Sequence, residues 1–85
     1  MSGQVLPFRL TVAASFLDGK SRNASETRSL LLPLYPDEQK LCSLASVDMN
    51  LQALKAVGIL RVAEDGEDPR YGLTPHGYEK VKKNM

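Results

Sequence analysis

Asn50, Gln52 and Lys55 fall within one short stretch and carry the most specific recognition chemistry in this sequence. A carboxamide presents a donor and an acceptor side by side, the pattern that pairs with the edge of adenine, and a lysine ammonium reaches guanine or a phosphate oxygen. Met49 stands beside them, next to Asp48, and Arg22 and Lys40, with Lys20 and Arg28, are the bases placed to meet a phosphate backbone. The run from Glu64 to Arg70 has the opposite character: four carboxylates against one base give a local charge of −3. Such a segment repels phosphate and attracts a basic surface. It lacks the terminal bidentate glutamate of a calcium loop, so no metal site is expected. His76 and Cys42 are the only residues of their types. Neither has a neighbour that would make it a nucleophile or a general base, and no glycine-rich phosphate cradle precedes a helix. No catalytic residue and no cofactor are expected, and the chain reads as a non-enzyme.

The elements that must position these residues come from a single small core. Eighty-five residues with 42% hydrophobic content make one domain, and 11 Lys+Arg against 10 Asp+Glu leave a net charge of only +1. No global field therefore draws the chain to nucleic acid or to an anionic membrane. One cysteine excludes an internal disulfide and a thiol cluster for zinc. Without a basic-flanked apolar leader or a run of about 20 apolar residues, the expectation is a cytoplasmic protein with no membrane partner. Residues 1–4 and 84–85 read as disordered ends.

A first helix is expected from Val5 to Gly19, with Pro7 in its first turn and Gly19 as its stop. Its apolar residues exceed one stripe. If Phe8, Val12 and Phe16 face the core, Leu10 and Leu17 lie on another side. Two covers for that side are expected: a second copy of the chain, in a homodimer through Leu10 and Leu17, or the last helix, through Tyr78 and Val81. Asn23 followed by Glu26 is a capping box for a second helix, whose apolar face is Thr27, Leu30, Leu31 and Leu34, and Pro33 ends it near Leu32. Leu44, Val47, Leu51, Leu54 and Gly58 recur at spacings of three and four, which predicts a third helix starting at Asp37 or at Ser43 and ending at Gly58. Residues from Ile59 to Ala63 and from Arg70 to Thr74 predict two strands around a turn, with Val62, Tyr71 and Leu73 inward. Thr74 then caps, and Pro75 opens, a closing helix toward Lys83, where Lys80, Lys82 and Lys83 complement the helix dipole. The expected core adds Leu30, Leu34, Leu44, Val57 and Ile59 to the inward residues of these elements.

The run from Leu51 to Leu60, the acidic hairpin, and Tyr71-Gly72-Leu73-Thr74-Pro75-His76-Gly77 together resemble the second half of winged-helix transcriptional regulators. The likeness spans Val47 to Val81, about 40% of the chain, and rests on element order and punctuation agreeing together. It implies a mainly α fold with a small antiparallel β-hairpin, ordered helix, helix, helix, strand, strand, helix. It also implies that the helix ending at Val57 is a recognition helix and that Glu64 to Arg70 is the wing. In such a domain Asn50, Gln52, Lys55 and Met49 would face double-stranded DNA, with Arg22 and Lys40 toward the backbone, and a homodimer would present two recognition helices to a palindromic site. Two positions depart from the pattern: Asp48 and Met49 stand where the family commonly has serine, threonine or arginine. The acidic wing departs as well. The second expectation is therefore a winged-helix domain that binds a protein and not DNA.

Overall fold

A computed structural model describes residues 7–37 and 40–84, which form four helices and one hairpin. The order is α1 (Phe8–Ala14), α2 (Ala24–Leu31), a 3₁₀ turn (Leu32–Leu34), α3 (Leu44–Ala56), β1 (Leu60–Glu64), β2 (Arg70–Leu73) and α4 (Pro75–Lys83). The fold is mainly helical, with one two-stranded antiparallel sheet. Residues 1–4 and Met85, expected as disordered ends, lie outside the described residues, as does the proposed helix start at Val5. Asn84 is an ordered cap: its amide nitrogen bonds Val81 O at 3.1 Å and its side chain donates to Lys80 O at 2.7 Å.

α1 is half as long as its apolar run predicts. Beyond Ala14 the amides of Ser15, Phe16 and Leu17 bond carbonyls three residues back, and the Ser15 hydroxyl donates to Val12 O at 2.6 Å. A side chain that bonds its own preceding turn competes with the helix ladder, so the chain tightens into turns that Gly19, at φ 81°, brings to an end. α2 begins as expected, with Glu26 N donating to Asn23 Oδ1 at 2.7 Å and Asn23 N to Glu26 Oε1 at 3.1 Å. Its inward face is narrower than expected. Thr27 and Leu31 are buried, whereas Leu30 and Leu34 are 45% and 63% exposed. Thr27 tolerates burial because its hydroxyl donates to Asn23 O at 2.8 Å.

Ser43 caps α3 by accepting from Ser46 N at 3.1 Å, which selects the later of the two expected starts. Val47, Asn50, Leu51 and Leu54 form the buried stripe. Leu44, in the first turn, and Val57, past the last, sit at the two ends of that stripe and are 53% and 64% exposed, contrary to the expected core. Gly58 takes φ 80° and ends the helix, and Ile59 N closes it on Leu54 O at 2.9 Å. β1 and β2 pair in the register Leu60 with Leu73 and Val62 with Tyr71, with an irregularity between Val62 and Glu64. Leu60 and Tyr71 are the buried residues of the hairpin; Val62 and Leu73 are only half-buried. On the other edge of β2, Arg22 N bonds Tyr71 O at 3.0 Å and Tyr71 N bonds Arg22 O at 2.8 Å, so the link before α2 adds a one-residue third rung. No sequence signal announced that rung.

α4 is locked to the end of α3 at close range. The Thr74 hydroxyl accepts from Gly77 N at 2.8 Å and donates to Gly58 O at 2.6 Å, while Thr74 N donates to Ile59 O at 3.0 Å. Gly77 touches the same segment, since a Cβ there would lie 2.1 Å from Ile59 O. Only glycine lets the first turn of α4 approach this backbone. The core that results is built on Val12, Phe16, Leu31, Val47, Leu51, Leu60, Tyr71 and Val81, with Ala13 and Cys42 filling small spaces. No helix among the described residues is long and apolar enough to cross a membrane.

Candidate binding surface

α3 turns a nearly neutral face outward. Leu44, Ala45, Asp48, Met49, Gln52, Lys55 and Ala56 are exposed, Met49 at 64%, and they hold one acid and one base. Of the residues expected to read bases, Met49 and Lys55 are available there, and Lys40, before α3, is exposed as well.

Asn50 is not available. It is 9% exposed, its Oδ1 accepts from Arg9 Nε at 3.0 Å and its Nδ2 donates to Ser46 O at 2.8 Å. A carboxamide with both ends engaged inside the fold ties α1 to α3, where the sequence led one to expect a base-reading side chain. Gln52 is exposed, but its Nε2 donates to the Tyr71 hydroxyl at 2.7 Å, so pairing with adenine through both ends would break the bond between α3 and β2. The Tyr71 hydroxyl is held above its ordinary pKa, first by burial and then by the charge of Asp48.

Arg22, Arg28 and Arg70 are engaged within the fold. Arg22 donates to Ser15 O at 2.7 Å, pairs with the Asp18 carboxylate and lies 5.8 Å over the Phe16 ring. This guanidinium holds Asp18 below the usual aspartate pKa, with the Lys20 amide helping. Arg22, expected to face the phosphate backbone, thus braces the turn after α1. Arg28 Nε donates to Cys42 O at 2.8 Å. Arg70, the one base of the hairpin loop, pairs with Glu26 at 2.8 Å and donates to Ser21 O at 2.9 Å.

The acids face outward instead. A groove of about 440 Å³ runs between α2, α3 and the hairpin, lined by Ala24, Ser25, Leu44, Ala45, Asp48, Glu67, Asp68, Pro69 and Tyr71. Asp68 is set in place by Asn23, whose Nδ2 donates to Asp68 Oδ2 at 2.7 Å. Among the described residues, no cation lies at ion-pair distance from Asp48, Glu67 or Asp68. Leu44, Ala45 and Pro69 belong to this groove and were missed in the sequence. Their only signal was that Leu44 stands in the first turn of α3, at the end of the stripe, and that Ala45 falls beside it.

The surface expected to pair two copies lies partly against α4. Leu10 is half-buried in a groove shared with Val81 and Lys80, and Leu17 is half-buried beside Leu73, Pro75 and Tyr78. α4 thus covers part of this side of α1, and Leu10 and Leu17 keep part of their surface at the grooves. His76 is exposed at the start of α4, and Cys42 is buried. Among the described residues no group of three or more His, Cys, Asp or Glu side chains is placed to hold a metal ion. Compared with protein-family models, with curated proteins and with solved structures, the chain matches none.

Proposed function

We propose that the chain is a winged-helix domain acting as a non-catalytic binding module, and that its α3 and hairpin face takes a protein partner in preference to duplex DNA. The winged-helix reading is supported by the element order, by the Arg22–Tyr71 rung beside the hairpin, and by the joint between Gly58-Ile59 and Thr74-Gly77, which contains the punctuation that carried the resemblance. One observation carries the choice of partner. Where a nucleic-acid backbone would lie between helix and wing, the groove is walled by Asp48, Glu67 and Asp68, while Arg22 and Arg70 are engaged elsewhere. Phosphate neutralisation by exposed bases supplies nearly all non-specific DNA affinity, and a face with unpaired acids opposes it.

The test is a titration of the full chain with random-sequence duplex DNA at low salt, followed by fluorescence anisotropy. No binding is expected. Binding that is tight at low salt and weakens steeply as salt rises would overturn the reading and restore the DNA-binding alternative.

A further inference from the structure

We infer that the groove between α3 and the hairpin takes a short segment of a partner protein in which an aliphatic side chain is flanked by lysine or arginine. The inference rests on the binding-module reading above and names its ligand. The argument begins with the lining. Ala24, Leu44, Ala45 and Pro69 make the floor and walls mainly apolar, and Leu44 is 53% exposed although it is a large aliphatic residue. An apolar side chain entering there removes both surfaces from water.

Charge selects what accompanies that side chain. Asp48 on one wall and Glu67 and Asp68 on the other have no cationic partner among the described residues. Asp68 is also held in position by Asn23 at 2.7 Å, so this carboxylate is oriented before any ligand arrives. An acidic peptide or a nucleic acid would meet repulsion from both walls. A bare metal ion is not suited either, because no set of three such side chains converges among the described residues. Carboxylates set apart on two walls across an apolar floor match cations set apart on a chain, which lysine or arginine residues on either side of a leucine or valine supply.

The experiment selects a phage-displayed library of random peptides against the immobilised full chain, then titrates the synthesised winners into ¹⁵N-labelled protein. Enriched peptides are expected to carry Lys or Arg on both sides of an aliphatic residue and to shift the amides of Leu44, Ala45, Asp48, Glu67 and Asp68. The triple variant Asp48→Asn, Glu67→Gln, Asp68→Asn keeps side-chain size and leaves an acceptor for Asn23. It is expected to melt at the parent temperature and to bind the winners at least about tenfold more weakly. Acidic or uncharged winners, shifts centred on the α1 and α4 groove, no enrichment at all, or a second copy of the chain occupying the groove in sedimentation runs would each overturn the inference. Duplex DNA titrated in parallel separates the two levels. Salt-sensitive DNA binding removes the function proposed above, whereas failure of basic peptides without DNA binding removes only this ligand.

Discussion

The joint between α3 and α4 and the face between α3 and the hairpin share one helix and differ in how they are finished. At the joint, Thr74 bonds Gly77, Gly58 and Ile59, and Gly77 fits against Ile59 O with no room for a methyl group. On the face, three carboxylates line an apolar groove without a cation at ion-pair distance among the described residues. The first surface is closed on itself and serves the fold; the second keeps charge and apolar area at the solvent and is the face proposed above to bind. The resemblance noted in the sequence lies largely in the joint. It therefore bears on architecture, and what the face binds is a separate question of its chemistry.

The comparison breaks most visibly at Gly77. Gly77→Ala places a Cβ 2.1 Å from a backbone oxygen that cannot rotate away, so α4 must shift from its seat. The expected loss is about 3 kcal/mol, read as a lower denaturation midpoint, with α4 amides exchanging faster than those of α2. An unchanged midpoint would show that the joint is looser than its geometry.

Asn50 sharpens the boundary between the two kinds of surface, because it has the chemistry of a reader and the position of a core residue. Asn50→Ala removes the partner of both Arg9 and Ser46 O and is expected to cost about 1 to 2 kcal/mol. The affinity of the selected peptides should stay within about twofold of the parent, since the groove is untouched. A loss of binding with stability intact would return Asn50 to the functional face.

The smallest effect belongs to Asp18. Arg22 holds its carboxyl below the ordinary aspartate value of 3.8, so the folded state binds that proton less readily than the unfolded chain does. The resulting stability is fully present above the unfolded value and is lost as pH falls through the lower, folded one. The Asp18 side chain is 41% exposed, and solvent screening keeps the contribution small. Denaturant midpoints of the parent and of Asp18→Asn should differ slightly near neutral pH and converge in strong acid. A gap that persists in strong acid would show that the Arg22 contact is not its source.

Expectation and structure agree where the signal is local. Asn23 with Glu26, Gly58, and Thr74 with Pro75 each act over three or four residues, and every one of these boundaries is found. They differ where a residue's partner is distant or its face ambiguous. Leu30, Leu34, Leu44 and Val57 are apolar but sit beside the stripes that pack or at their ends, and a domain of this size leaves some apolar surface outside. Asn50 was legible in principle. It stands three residues after Val47 and four before Leu54, within the buried stripe, so its position speaks for the core while its side chain has the chemistry of a reader.

The sequence by itself determined the helix caps, the glycine stops and the hairpin, because a backbone amide or a positive φ is satisfied by neighbours a few residues away. It also determined the stock of charges. Only the tertiary structure decided which of them remain available: Arg70 turns to Glu26 and Ser21, and Asn23 fixes Asp68 from 45 residues away. Counted along the chain, the hairpin loop holds four acids and one base; folded, its base is engaged and two of its acids, Glu67 and Asp68, line a groove. Electrostatic character depends on distance in space, and at contacts of about 3 Å between segments far apart in sequence that distance is set by packing alone.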